Sequence, residues 1–401
     1  MREHRLEVAD VLRSYGAQYE EARGVWTSPE HKRVLRAISV CRTRALGGHK
    51  KICDLCGHEE ISYNSCRNRH CPKCQARARA QWLDAREKEL LGVPYFHVVF
   101  TLPDKLSPLA LQNKRLVYGL LFHAVSETLL TIARDPKHLG AEIGFLTVLH
   151  TWGQNLHHHP HIHCVVPGGG ISRDGNQWVF CREDFFVPVR VLSRLFRKKL
   201  LAYLTVAYNA GKLSFYGKLE PLRNTENWQR LVTALKARDW VVYAKPPFGG
   251  PRQVLKYLAR YTHRVAISNG RLISLKDGKV SFRWKDYARG NRERAMSLDA
   301  VEFIRRFLLH VFPTGFVHIR HYGFLANRVR EKKLTLARGL LGEMPSTHTS
   351  NSEAPADKTG ESDQDVHSEL CPACKEGRLI LIEIIYPDPG AGLDPDGCDT
   401  S

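Results

Sequence analysis

The run His161-Ile162-His163-Cys164-Val165-Val166 constrains this chain more than any other stretch. It is β-branched and apolar enough to be a strand, and successive side chains of a strand point to opposite faces. Ile162 then faces a core, while His161 and His163 project together from the other side. Two imidazoles held on one face by backbone geometry suit a divalent metal. Taken alone, a His-x-His is explained as well by a His-rich loop that binds nothing. Weight is added by a second element further along the chain.

That element is Gln253–Arg264, which lacks Gly and Pro and has helical spacing. Tyr257 and Tyr261 fall one turn apart on one face, beside a basic stripe of Lys256, Arg260 and Arg264. Tyrosine is a covalent nucleophile in several enzymes. A His-hydrophobe-His strand and a Tyr-x-x-x-Tyr helix together suggest one chemistry. A metal polarises a scissile phosphate of DNA, and a tyrosine attacks it.

The charge distribution points to the same partner. The formal net charge is +19, but the 13 acidic and 3 basic residues from Glu343 to Ser401 make that segment −10, which leaves +29 to residues 1–342. Such an excess calls for a polyanion, and nucleic acid is preferred because no basic amphipathic helix has a bulky apolar face suited to a membrane. The first residues are polar with no apolar run after them, so no signal peptide is read. No apolar run approaches the roughly 20 residues of a spanning helix. The expectation is a cytoplasmic, nucleoid-associated protein. Eleven cysteines in such a chain argue for metal binding rather than disulfides.

Two Cys-x-x-Cys pairs, Cys53/Cys56 and Cys71/Cys74, stand close in sequence, and four thiolates complete a tetrahedron. Zinc held by these four is expected, with Cys66 and His70 as spare donors. Arg67 and Arg69 between the pairs are candidate DNA contacts. Cys371-Pro-Ala-Cys374 has no second pair after it and reads as an unmetallated turn.

Along the chain, Val8–Gly24, Pro29–Ala45 and Ala76–Leu91 read as helices, with Ser28 as a cap before Pro29. Pro94–Leu102, Ile143–His150 and His161–Val166 read as strands, and Leu109–Ala133 as an amphipathic helix. Gly168–Gly170 reads as a turn, and Asp174-Gly175 closes a hairpin. Helices are expected at Leu192–Tyr208, Asn227–Arg238 and Leu298–Leu309. Trp240–Ala244 reads as a further strand, and Val265–Ser268, Arg271–Leu275 and Lys279–Lys285 as a meander. Residues 343–368 are Ser/Thr/Asp/Glu-rich and aromatic-free, a composition of disorder. No Gly-x-x-x-x-Gly-Lys-Ser/Thr loop occurs, which speaks against an ATPase.

Three features resemble the HUH-type rolling-circle transposases of bacterial insertion sequences, and most closely the insertion-sequence-ninety-one family. They are the module Cys53…Cys56…Cys66-Arg-Asn-Arg-His-Cys71-Pro-Lys-Cys74, the run from Thr151-Trp-Gly-Gln154 into His159-Pro-His161-Ile-His163-Cys-Val-Val-Pro-Gly-Gly-Gly, and Tyr257-Leu-Ala-Arg-Tyr261. The resemblance spans residues 35–340. It implies an α+β fold: an HUH-endonuclease-like antiparallel sheet with flanking helices over 92–342. A small helical zinc-binding module over 1–91 precedes it, and an acidic, largely disordered tail over 343–401 follows. It further implies that His161 and His163 bind Mg²⁺ or Mn²⁺ with a third ligand. Gln154 is the first choice, and His263, His159 and His157 stay open.

Implied too are tyrosine nucleophiles that cut single-stranded DNA at element ends and target, with host replication machinery as a further partner. The oligomeric state is not legible. Two rival readings differ in class: a plasmid or phage replication initiator or relaxase, and a non-catalytic zinc DNA-binding protein. Flanking DNA separates the first, and tolerance of changes at His161 and Tyr257 the second.

Overall fold

A computed structural model describes residues 5–24, 27–182, 187–245, 265–286, 290, 292–342 and 369–388. The stretch Gln253–Arg264, with Lys256, Tyr257, Arg260, Tyr261 and Arg264, lies outside the described residues, as do His263 and residues 343–368. The fold is α+β. Helices α1 (Val8–Arg23) and α2 (Pro29–Ser39) lead into strands β1 (Gly48–Cys53) and β2 (Glu59–Tyr63) and helix α3 (Pro72–Glu87). Next come β3 (Tyr95–Thr101), α4 (Ser107–Gln112), α5 (Lys114–Arg134), β4 (Ala141–Glu142), β5 (Gly144–Trp152), β6 (His158–Pro167), β7 (Gly169–Ser172) and β8 (Trp178–Phe180). After α6 (Val189–Asn209), α7 (Thr225–Lys236) and β9 (Val242–Lys245) follow β10 (Leu272–Lys276), β11 (Lys279–Asp286), β12 (Arg292–Asp299) and α8 (Ala300–Leu308). The last elements are β13 (Ile319–Gly323), α9 (Arg330–Leu340) and β14 (Leu379–Ile385).

The central sheet has the order β13-β5-β6-β3-β9 with every neighbour antiparallel. Alternation along its strands decides what lies on each face. Val98 and Phe100 of β3 and Ile162, Cys164 and Val166 of β6 enter the main core with α5 and α6, and Phe100 meets Phe196 edge to face at 5.1 Å. The intervening residues of β6, His161 and His163, are left to the opposite face. Helix α5 is long and apolar enough, by length and composition, to cross a membrane, where the sequence suggested no such run. Its Val117, Leu121, Phe122 and Val125 are wholly buried in that core.

A second core joins the N-terminal helices to later parts of the chain. Val8, Val11 and Leu12 of α1 and Ile38 of α2 cluster with Phe282 of β11, Phe303 and Phe307 of α8, Cys71, Cys74 and Trp152. This cluster runs across the domain boundary expected at residue 91. Ser28 caps α2 as expected, its hydroxyl accepting from the His31 amide at 3.2 Å with Pro29 in the first turn. The helix stops at Ser39, short of Ala45, so Cys41 sits in a turn. Gly168–Gly170 is not a free turn, because Gly169 and Gly170 are buried in β7. A Cβ on Gly169 would lie 2.3 Å from the Trp178 indole nitrogen, so the strand needs glycine for this close approach. The Asp277-Gly278 turn joins β10 and β11 with φ of 50° and 71°, as its sequence predicts. The third strand of that sheet is β12; no strand forms at Val265–Ser268.

Two buried histidines serve packing. Ser107 donates its hydroxyl hydrogen to the His158 carbonyl at 2.8 Å, so its oxygen accepts from His158 Nδ1 at 2.7 Å. Nε2 then accepts from the Tyr118 hydroxyl at 2.7 Å. His310 is likewise neutral, accepting from Thr151 at 3.2 Å and donating to the Leu156 carbonyl at 3.2 Å. Burial pushes His158 down to about 2 and His310 to about 3. Both folded values lie below the unfolded value of about 6.5, so the unfolded state takes up protons first as the pH falls. Their stabilisation is complete above that value and is lost below it, by about 1.4 kcal/mol per pH unit for each. Urea midpoints measured from pH 7.5 to 5.5 are expected to be level above 6.5 and then decline. A flat profile would show that these rings are not held neutral.

Candidate functional site

The β5–β6 hairpin builds the first candidate site. In its register His150 stands opposite His161, and Val148 opposite His163. His150, His161 and His163 gather with their ligand nitrogens within 4.8 Å of one another. The rings of His150 and His163 lie 4.5 Å apart, and those of His161 and His163 4.8 Å. Trp152 stacks on His150 at 4.7 Å and walls one side.

Hydrogen bonds orient the ligand nitrogens. His161 Nδ1 donates to the His159 carbonyl at 2.7 Å, which leaves Nε2 with the lone pair a metal needs. His163 Nδ1 meets His97 Nε2 at 2.8 Å, and the two rings stack. Burial, aided by Lys245, pushes His97 down to about 4, so it stays neutral. With His163 Nδ1 as donor to His97, the Nε2 of His163 also keeps its lone pair. Three imidazoles so gathered are a donor set for a divalent ion.

The sequence placed two of these donors and missed the third. Gln154 lies in the turn between β5 and β6, and its carbonyl accepts from Arg271. His159 faces Asp104 at 3.4 Å, and His157 contacts Asn155 at 3.1 Å. His150 was overlooked because its partner is fixed by pairing across the hairpin rather than by spacing. The available signal was a lone histidine near the end of the apolar run Gly144–Trp152.

The cysteines divide differently from their order in sequence. Cys71 and Cys74 join Cys41 and Cys66, not Cys53 and Cys56. Their sulfurs stand 3.6 Å (Cys41–Cys71), 3.7 Å (Cys41–Cys74) and 3.6 Å (Cys66–Cys74) apart. Zinc–sulfur bonds of about 2.3 Å in a tetrahedron put sulfurs about 3.8 Å apart, so this group fits one zinc ion. The expectation of a single site from Cys53, Cys56, Cys71 and Cys74 is thus corrected: the β1–β2 hairpin carries the first pair away from the second. Cys66, a spare donor in the sequence reading, belongs to this group. His70 is not one of the group. Burial holds it neutral, and its Nε2 accepts from the Phe312 amide at 3.4 Å.

The two arginines of this module also part. Arg67 is exposed at a positive φ of 50°. Arg69 donates to the Phe316 carbonyl at 2.7 Å and the Pro313 carbonyl at 2.9 Å, and lies over the Phe312 ring. Its guanidinium therefore clamps the module onto residues 312–316, a task that its charge alone did not reveal.

A family model described as "Putative transposase" matches residues 144–333, which contain the histidine hairpin. One described as "Transposase zinc-binding domain" matches residues 11–102, which contain Cys41, Cys66, Cys71 and Cys74. The N-terminal part is therefore a zinc-binding domain, and that four-thiol group fits its ion. A protein named "Putative transposase y4qJ", from Sinorhizobium fredii, is 57% identical over 380 residues, covering 94% of this chain and 95% of its own. A "Transposase for insertion sequence element IS801", from Pseudomonas savastanoi pv. phaseolicola, is 30% identical over 292 residues, covering 72% of this chain and 68% of its own. No solved structure matches.

The arginine geometry separates packing from DNA contact. Arg69→Ala is expected to lower stability by about 1–3 kcal/mol by stranding two carbonyls, and to leave the salt slope of DNA binding in place. Arg67→Gln is expected to leave stability within about 0.5 kcal/mol and to reduce that slope by about 1. Denaturant melts and DNA titrations at several salt concentrations check both. The opposite assignment of effects would overturn the distinction.

Proposed function

This chain belongs to the insertion-sequence-ninety-one family of transposases, and from that premise we propose that it moves its element as single-stranded DNA, by tyrosine nicking in a rolling-circle manner. The observation that carries this reading is the convergence of His150, His161 and His163 within 4.8 Å on one face of the central sheet. The histidines would hold Mg²⁺ or Mn²⁺. That ion supplies Lewis-acid polarisation of the scissile phosphate.

The chain's own groups do the rest. His161 and His163 present their Nε2 atoms because the His159 carbonyl and His97 occupy the other ring nitrogens. His150 completes the set where Gln154 had been the first choice from sequence. The nucleophile is Tyr257 or Tyr261. The described residues nearest to these tyrosines in sequence are Lys245 and Val265. Lys245 pairs with His97 across β9 and β3, and Val265 and Ala266 are buried, Ala266 in the cluster that holds Trp152.

The tyrosine oxygen forms a bond to phosphorus, its proton departs, and the bond from phosphorus to the 3′ oxygen breaks. A 5′-phosphotyrosine and a free 3′-hydroxyl result. The phosphotyrosine keeps the energy of the broken phosphodiester, so rejoining needs no ATP. Lys256, Arg260 and Arg264, at helical spacing from the tyrosines in sequence, would steady the strand's phosphates. Two tyrosines let one site hold one strand while cutting another. The partner is the single-stranded DNA of element ends and target, within the nucleoid.

The test is a covalent adduct on a denaturing gel, with labelled single-stranded element ends and added Mn²⁺ or Mg²⁺. His150→Ala, His161→Ala and the double change of Tyr257 and Tyr261 to Phe are expected to abolish it, and Gln154→Ala to reduce it far less. Each single tyrosine change is expected to permit cleavage but impair strand transfer. His97→Ala is expected to raise the half-saturating metal concentration about 10–100-fold. An adduct surviving the double tyrosine change, or full activity of His150→Ala, would refute the mechanism.

A further inference from the structure

Cys53 and Cys56, absent from the N-terminal zinc group, have partners at the other end of the chain. They meet Cys371 and Cys374, and all four sulfurs lie within 4.8 Å of one another. Cys53 Sγ stands 3.7 Å from Cys374 Sγ, and Cys56 Sγ 3.7 Å from Cys371 Sγ. These distances exceed a disulfide bond of about 2.05 Å and match the tetrahedral spacing of about 3.8 Å around one zinc. In an iron–sulfur cluster the cysteines bind different irons, which spreads their sulfurs further apart than the 4.8 Å that contains all four here. Neither matched family segment reaches Cys371.

The two halves share one backbone design. In each, a Cys-x-x-Cys turn is followed by a residue with positive φ: Gly57 at 70° and Lys375 at 62°. The Gly57 amide donates to the Cys53 carbonyl at 3.1 Å, and the Lys375 amide to the Cys371 carbonyl at 2.9 Å. Each half aims backbone amides at sulfur. Leu55 and Cys56 donate to Cys53 Sγ at 3.4 Å, and Gly377 donates to Cys374 Sγ at 3.2 Å. Such amides stabilise thiolates, the form that binds metal. The halves also interlock: the Arg378 amide donates to Asp54 Oδ1 at 2.7 Å, and the Asp54 amide to the Arg378 carbonyl at 3.0 Å. A Cβ on Gly377 would lie 2.5 Å from Cys53 Sγ, so the turns fit without spare room.

What holds the C-terminal strand in place is then in question, because packing is thin. β14 pairs antiparallel with β1, which also carries β2 on its other edge. Leu379 is buried, but Ile380, Ile382 and Ile384 are about half exposed. The apolar cluster around the sulfurs contains only Cys53, Cys371, Cys374 and Leu379 among the described residues. A metal does this kind of work where a core is too small. We propose that Cys53, Cys56, Cys371 and Cys374 bind a second zinc ion, a clasp that fastens the C-terminal strand to the N-terminal zinc-binding domain.

The test uses full-length protein and does not depend on nicking. Elemental analysis of the purified chain is expected to give two zinc ions, one for each four-cysteine group. The double variant Cys371→Ser and Cys374→Ser is expected to retain one. Hydrogen exchange in that variant is expected to rise over Gly48–Cys53 and Leu379–Ile385, and to stay level in α3. As a check that needs no substitution, the wild type is also loaded with ¹¹³Cd and is expected to show two separate resonances in the tetrathiolate range. One zinc in the wild type, an undiminished zinc content in the double variant, a single cadmium resonance, or unchanged protection of both strands after zinc loss would each overturn the clasp.

Discussion

The pairing of β5 with β6 is the constraint on which the histidine site depends. An antiparallel ladder places a residue opposite a fixed partner, and a slip of one position would turn every side chain to the other face. Here the register sets His150 against His161 and sends Ile162 and Cys164 into the main core. The apolar packing of those residues against α5 and α6 therefore selects the register, and the register in turn assembles the imidazoles. No loop has to close for the three rings to meet. The one irregularity, between His150 and Trp152, lies beside the site, where a bulge re-aims a side chain. It leaves Trp152 stacked on His150.

Around this hairpin histidines are used in two ways, and their surroundings distinguish them. His158 and His310 have both ring nitrogens committed to neighbouring groups. They are saturated core residues. His161 has one nitrogen tied to a backbone carbonyl and the other turned towards two more imidazoles. Clustering alone does not separate a packed histidine from a candidate ligand; His158 and His310 show how a packed one has both ring nitrogens engaged.

Much of this was legible in the sequence, and the limits have physical causes. The two-residue period of a strand shows that His161 and His163 share a face, because both lie on one element. His150 belongs to a neighbouring strand, so its proximity depends on a register that no local spacing encodes. The same holds for the cysteines. A Cys-x-x-Cys turn is local and readable, but which turns meet is tertiary, and Cys53/Cys56 chose a partner pair more than 300 positions away. The acidic composition of the tail concealed its apolar run Leu379–Ile385, which is a strand. Composition averaged over residues 343–401 outweighed seven residues that obey strand propensity. Arg69 shows a packing role that charge alone does not reveal, since its guanidinium donates to two carbonyls.

The N-terminal domain does not sit apart from the histidine site. Cys71 and Cys74 belong to the same buried cluster as Trp152, and Trp152 stacks directly on His150. The indole thus packs on His150 and shares its buried cluster with two cysteines of the four-thiol group. A tetrahedral ion fixes the positions of its four sulfurs to within tenths of an ångström, a precision that a few small side chains cannot supply by packing. Densely packed interiors pass such displacements on rather than absorb them. The four-thiol group and the histidine cluster are therefore joined through one buried core.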